Sequence, residues 1–162
     1  MNANTPRPVS NLTLALYYLA IFVGGVVALN VLYLLIQAFF HFSPSNGAAM
    51  AFLLMVASAG SVGQIWYRRE HVRPHGARAW RVALLCLMAT ILVQALLVGV
   101  FYVAAGMPDN PLRGVRPNEQ LLLAGVGAFV LLLELALIRL GLFMGGRQAQ
   151  KKDRRVIAGT FE

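Results

Sequence analysis

Charged residues are scarce in this sequence, and acidic residues are the scarcest of them. Asp, Glu, Lys and Arg together make up 12% of the 162 residues, against a usual share of about 25% in soluble proteins. Six residues are acidic and 14 are lysine or arginine, while 59% are hydrophobic. The polar residues are too few to cover the surface of a soluble globular domain. The composition therefore predicts one integral membrane domain.

Cysteine is nearly absent, and so are the motifs of most catalytic sites. Cys86 is the single cysteine, which excludes an intrachain disulfide and a multi-cysteine metal site. The sequence has no P-loop, G-x-S-x-G, H-E-x-x-H or C-x-x-C motif. His71 and His75 are predicted on the opposite side of the membrane from His41, so no haem or metal site is expected. We expect no catalytic residue and no cofactor, and we predict that the chain is not an enzyme.

Four long apolar runs account for most of the chain. We predict membrane spans at 12–40, 48–67, 82–106 and 121–144, after a polar lead at 1–11 and before a basic tail at 145–162. The first run is too long for the apolar part of a signal peptide, so we interpret it as a retained helix. Each run can cross a hydrocarbon core of about 30 Å at about 1.5 Å per residue. The predicted fold is an all-α, four-helix transmembrane bundle.

The basic residues are distributed unevenly between the two sides of this predicted bundle. One side carries 11 of them, in the lead, the central loop and the tail, and the other side carries Arg113 and Arg116. The positive-inside rule then places both termini in the cytoplasm. Because the cations flank apolar runs, they predict contact with anionic lipid headgroups rather than with nucleic acid. The predicted headgroup contacts are Arg68, Arg69, Arg73, Arg78, Arg81, Lys151, Lys152, Arg154 and Arg155.

Glu134 lies near the middle of the fourth span, where an acidic group costs about 2.5–3.5 kcal/mol on insertion scales. It should therefore face other helices. Arg139 lies about 140° around the helix from Glu134 and is poorly placed for an ion pair. Counting from the span ends brings Gln94, Asn30 and Ser58 to similar depth, which predicts a polar cluster. Two interpretations remain open: hydrogen bonds that fix helix register, which we favour, or a site of proton coupling.

Small residues recur at spacings of four on three spans, a pattern that permits close helix contact. On the second span the pairs Ala57 with Ser61 and Ala59 with Gly63 define two candidate contact faces. On the first span Ala20, Gly24 and Ala28 form a row, which we interpret as ordinary packing within the chain. Gly141 and Gly145 end the fourth apolar run, and we interpret them as a flexible helix end rather than as a dimer contact.

Aromatic residues stand at the ends of the first two spans. Tyr17 and Tyr18 are near the start of the first, and Trp66 and Tyr67 end the second just before Arg68. Such positions are typical of residues at the membrane–water interface. We therefore expect these four side chains near the headgroups.

The middle third of the chain, with Arg73-Pro74 before Trp80-Arg81 and an apolar run, resembles a group of uncharacterised proteobacterial inner-membrane proteins of similar size. The resemblance implies four helices and a bacterial inner membrane, and it implies no activity or site residues. Small four-helix multidrug exporters do not match, because they carry an acidic residue in the first helix and run 12–40 has none.

These observations predict a non-enzymatic protein of the bacterial inner membrane. The favoured function is an accessory or assembly subunit that docks a larger membrane complex, with another membrane protein or a second copy as partner. The alternative is a small oligomeric proton-coupled transporter that uses Glu134.

Overall fold

The computed structural model describes residues 8–40, 47–106 and 116–159. Within these ranges the chain forms four α-helices and no strand: α1 (Asn11–Phe40), α2 (Gly47–Glu70), α3 (Gly76–Ala104) and α4 (Pro117–Gly159). All four are long and apolar enough to cross a membrane. The predicted all-α, four-helix class is confirmed. The predicted turn at 41–46 and most of the second loop, at 107–115, lie outside the described residues.

The helices extend beyond the predicted spans at their polar ends. α4 begins at Pro117, because the fixed φ of proline suits a first helical position where no N–H donor is needed. Our prediction that the fourth helix ends at Met144 is wrong, since α4 continues through Gly145 and Gly146 to Gly159. Glycine inside a helix costs only about 1 kcal/mol relative to alanine, and here close packing against α2 offsets that loss. At about 1.5 Å per residue, α4 is about 64 Å long.

A short loop, residues 71–75, joins α2 to α3. A residue with left-handed backbone conformation marks each end of it. His71 has φ of 55° directly after α2, and Gly76, with φ of 68°, opens α3. Positive φ is uncommon outside glycine, so the two positions mark a sharp change of direction. The segment between them is not helical, so His71 and His75 do not share a helix face.

The four helices form a ring in the order α1, α2, α4, α3. The most extensive contact joins α2 and α4, and α1 also packs on α2 and α3, while α3 packs on α4. Gly60 lies next to Gly145 and Gly63 next to Gly146, so α2 and α4 run parallel. In the described part of the chain, the consecutive helices α2 and α3 are diagonal neighbours. The 71–75 loop must therefore cross the ring.

The packed core fills one half of the bundle. We name the end that holds Asn11, the 71–75 loop and Gln150 the basic end, and the opposite end the distal end. The buried cluster lies towards the basic end, and its largest members are Leu14, Tyr18, Met55, Trp66, Ile138 and Leu142. Large hydrophobic side chains in the distal halves of α1, α3 and α4, such as Leu34, Phe101 and Leu122, are exposed. The bundle is thus closed at the basic end and open towards the distal end.

Candidate functional site

Glu134 is buried between α3 and α4, with 3% of its surface exposed. The Gln94 amide donates from Nε2 to Glu134 Oε1 at 2.8 Å. The other carboxyl oxygen, Oε2, is buried without a hydrogen-bond partner in the described part of the chain. The structure therefore brings together two of the four predicted cluster residues and leaves one acceptor of the carboxyl unused.

Two residues that the sequence did not assign to the cluster lie beside this pair. The Tyr18 hydroxyl is 2.8 Å from Thr90 Oγ1, and Thr90 donates to the Cys86 carbonyl at 3.0 Å. Thr90 lies one helical turn before Gln94 on α3, so the Tyr18–Thr90 pair lies next to Gln94. Tyr18 is fully buried among the helices, whereas Tyr17 is exposed, and their place at the membrane–water interface stays a prediction. Tyr18 lies on the face of α1 that packs in the core.

Asn30 and Ser58 do not join the pair, so the predicted four-residue cluster is corrected. Asn30 is exposed on α1 and donates from its amide to Val26 O of its own helix at 2.8 Å. It lies about 120° around the helix from the buried Tyr18, which turns it away from the core. Ser58 is fully buried, and its hydroxyl has no partner among the described residues. Similar depth predicted that Asn30 joins the pair, but the direction of its side chain separates it from the core.

The backbones of α2 and α4 meet at glycine. A Cβ atom at Gly63 would overlap Leu142 O and lie 3.1 Å from Gly146 N. One turn outward, a Cβ at Gly141 would lie 2.8 Å from both Ala59 Cβ and Val56 O. These contacts are far tighter than side chains permit, so only small residues fit along the crossing.

Only one of the two candidate contact faces of α2 packs against α4. Ala59 and Gly63 lie in the contact with α4. Ala57 is exposed, and Ser61 donates from Oγ to Ala57 O at 3.0 Å within α2. The interpretation of Gly141 and Gly145 as a flexible helix end is wrong. Both lie in the middle of α4, and both face Gly60 of α2.

The small-residue row of α1 behaves differently from the glycines of α2 and α4. Ala20, Gly24 and Ala28 are all exposed. A Cβ at Gly24 would have no atom of the described chain within 4 Å. Our interpretation of this row as packing within the chain is therefore wrong, and this side of α1 is uncovered.

Arg78 holds the basic end together. Its guanidinium pairs with the Glu70 carboxylate at 2.6 Å and lies 4.8 Å from the Trp66 ring centroid. It also donates to the Val9 carbonyl and, at 3.1 Å, to Asn11 Oδ1. Glu70 in turn accepts from the Val9 N–H at 2.6 Å. Arg78, which was predicted to contact headgroups, instead joins the start of α1 to α2 and α3.

A second set of contacts ties the loop to α4. Arg73 donates to Gln150 Oε1, and Arg139 reaches Pro74 O at 3.4 Å with its guanidinium 5.5 Å from the Trp80 ring. Pro74 is buried, and a Cβ at Gly146 would lie 2.5 Å from its Cδ. Arg73 is thus engaged within the chain as well as exposed.

The remaining predicted headgroup residues keep exposed side chains. They are Arg68, Arg69, Arg81, Lys151, Lys152 and Arg154. The side chain of Arg155 lies outside the described residues. Trp66 is buried, and its indole donates to Glu70 at 3.0 Å; its place at the membrane–water interface stays a prediction.

Comparison with other proteins adds no relative. No protein-family model matches the sequence, and no curated protein or solved structure is significantly similar to it. The resemblance of the Arg73-Pro74 and Trp80-Arg81 segment to a proteobacterial group stays a prediction. Across residues 8–40, 47–106 and 116–159, no three His, Cys, Asp or Glu side chains are grouped to hold a metal ion.

Proposed function

We propose that the chain is a non-enzymatic accessory or assembly subunit of a larger complex in a bacterial inner membrane, with both termini in the cytoplasm. Four helices that can each cross a membrane support a multi-pass protein. The orientation rests on the excess of basic residues at the basic end, which in a bacterial membrane faces the cytoplasm. The docking role rests on the uncovered side of α1.

Asn30 is the observation that carries the docking role. It lies well inside a helix of 30 residues, and its side chain is exposed. One amide N–H is satisfied by Val26 O, which leaves the side-chain oxygen free to bond another helix. In hydrocarbon an unsatisfied polar group is unfavourable, and side-chain amides of asparagine commonly bond across transmembrane helices. A helix of a partner protein would satisfy Asn30, whereas lipid chains cannot.

A second strip of α1, about 120° around the helix from Asn30 at Gly24, is also open to a partner helix. Ala20, Gly24 and Ala28 leave a smooth, uncovered strip on the helix, where a second backbone can approach closely. The partner is therefore expected to be another transmembrane helix rather than a soluble domain.

Extraction in mild detergent, followed by mass analysis of co-purifying chains, tests this function. We expect Asn30→Leu to lose a partner that the wild-type chain retains, because the interhelical hydrogen bond is gone. Gln37→Leu is the matched control: Gln37 is also exposed on α1, but it lies near the helix end, where water can satisfy it. A wild-type chain that purifies alone as a monomer would contradict the docking role, and so would equal partner retention by both variants.

A second candidate function is a small proton-coupled transporter. The observation that favours it is the buried Glu134 carboxyl, of which one oxygen bonds Gln94 and the other has no partner in the described part of the chain. This carboxyl lies between two membrane-spanning helices. A transporter would require it to lose and regain a proton in each cycle.

A further inference from the structure

A basic cleft opens between α2 and α4 at the basic end, just beyond the glycine crossing. It has a volume of about 470 Å³, within the range of about 300–1,000 Å³ that is common for small-molecule sites. Arg68 of α2 and Lys151 and Lys152 of α4 line it, together with one carboxylate, Asp153. Three cations against one anion leave a net charge of +2. The cleft is therefore suited to an anionic group.

The cations stand at the depth of lipid headgroups. Arg68 directly follows Trp66 and Tyr67 at the end of the apolar run of α2. Lys151 and Lys152 lie beside it, because α4 runs parallel to α2 and continues as a helix past the membrane span. Arg68, Lys151 and Lys152 are all exposed, and none of them forms an ion pair within the described part of the chain. Their charges thus remain available at the level where phosphate groups of a bilayer lie.

A narrow groove continues from this cleft towards the middle of the membrane. It follows the α2–α4 seam along Val56, Ala57, Gly60, Ser61 and Met144. The Ser61 hydroxyl is turned back onto Ala57 O, so it presents little free polarity to the groove. The small residues that allow the helices to cross also leave this groove on the outer side of the α2–α4 seam.

Two amides mark the junction of the cleft and the groove. Gln64 and Gln148 line both of them, and Gln64 Nε2 lies 3.3 Å from Gln148 Oε1. The junction therefore places hydrogen-bonding groups between a cationic region and a groove formed mainly by small residues of α2 and α4. A phospholipid has the same order along its length: a phosphate, polar ester groups and then an acyl chain.

From this order we propose that the cleft and the groove together bind one anionic phospholipid. The phosphodiester lies among Arg68, Lys151 and Lys152, the ester region reaches Gln64 and Gln148, and one acyl chain follows Ala57 and Gly60. A free phosphate would use only the cleft, so occupation of the groove separates the two sources of a phosphate group. The proposal does not depend on the docking function of α1.

Lipid retention by the purified full-length chain in mild detergent tests the proposal. Phosphatidylglycerol and the zwitterionic phosphatidylcholine serve as probes, and native mass spectrometry counts the lipids bound per chain. We expect one tightly held phosphatidylglycerol on the wild type and at least tenfold weaker binding of phosphatidylcholine. Equal retention of both lipids by the wild type would overturn the site without any variant.

The charge contribution is measured with two double variants. Lys151→Gln with Lys152→Gln should weaken phosphatidylglycerol binding about thirtyfold, from the attraction that each basic residue near an anionic surface contributes. Arg69→Gln with Arg81→Gln removes two exposed charges at the same end but outside the cleft, and it should change binding less than threefold. The same loss in both double variants would mean diffuse attraction to the membrane surface and would overturn the site.

The contribution of the groove to lipid binding is measured with two variants, each of which replaces an alanine of α2 by phenylalanine. Ala57→Phe fills the groove and should weaken phosphatidylglycerol binding at least tenfold, whereas Ala51→Phe, also exposed on α2 but outside the groove, should not. Inorganic phosphate should fail to displace the lipid. Displacement by millimolar phosphate, with binding unchanged in Ala57→Phe, would assign the cleft to a free phosphate and overturn the lipid site.

Discussion

At the scale of single residues, the buried pair of Glu134 and Gln94 is where the two candidate functions differ. The hydrogen bond between them joins α3 to α4. An accessory subunit needs only this bond, whereas a proton-coupled transporter needs the carboxyl to change its charge. An amide in place of the carboxyl keeps the bond and removes the charge.

We predict that Glu134→Gln folds like the wild type and keeps its partners, since the amide has the same volume and can still bond Gln94. Glu134→Leu should lower thermal stability in detergent by an amount near the value of about 0.6 kcal/mol that is usual for one interhelical hydrogen bond. The decisive measurement is pH-driven flux in proteoliposomes of the wild type and of Glu134→Gln. A proton-linked flux that is present in the wild type and absent from Glu134→Gln would favour the transporter and contradict the accessory subunit.

The sequence could predict this pair but not the whole polar group around it. Depth can be counted from the ends of an apolar run, which is why Glu134 and Gln94 were matched correctly. The direction of a side chain depends on which face of each helix is buried, and α1 is apolar on all sides, so its sequence does not mark that face. Asn30 was therefore wrongly placed inside, and the buried Tyr18 was not predicted to join the core.

At the scale of the helices, the glycine crossing of α2 and α4 determines how closely the bundle packs. The two backbones approach so closely that Gly63 and Gly145 have no room for any side chain. Close contact over several turns gives the dispersion attraction that holds helices together in lipid, where the hydrophobic effect does not.

We predict that Gly63→Leu destabilises the bundle by about 1–3 kcal/mol or more, the usual range for an overpacked core, because Leu142 and Gly146 occupy the space. Gly99→Leu is the matched control. It makes the same change inside α3, where a Cβ meets no atom of the described chain within 4 Å. Thermal unfolding of both variants in detergent measures the difference, and a Gly63→Leu variant as stable as Gly99→Leu would show that the crossing tolerates a side chain.

The sequence could not show which helix packs against the small-residue face of α2. Small residues on α2 predict that some helix approaches closely, but α1, α3 and α4 all carry small residues as well. Gly145 and Gly146 stand together directly before a basic segment, which favours a helix end when only the sequence is known. The structure instead uses them for contact, with Gly60 and with Pro74 respectively.

At the scale of the whole molecule, the bundle has two unlike ends. The basic end is closed by Arg78, by the buried Pro74 and by the bond between Arg73 and Gln150. The distal end has long, exposed hydrophobic side chains on three helices. Most of the positive charges therefore lie at the basic end, which we propose faces the cytoplasm.

We predict that His75 and Gln150 face the cytoplasm and that Ser45 and Asn110 face the periplasm. Single cysteines at these positions, in a chain with Cys86→Ala, can be treated on intact cells with a thiol reagent that does not cross the membrane. Cys86 is fully buried, so its replacement removes only a small core side chain. Reaction at Ser45 and Asn110 alone is expected, and reaction at Gln150 without reaction at Ser45 would reverse the orientation.

The parallel pairing of α2 with α4 has a consequence for biosynthesis. The ribosome completes α2 before α3 and α4 exist, and chains are synthesised at about 5–20 residues per second. The glycine face of α2 therefore waits several seconds for its partner, while α3 enters the membrane first. During that interval Gly60 and Gly63 are open to any other helix at the insertion site, and correct assembly depends on release of α4 close by.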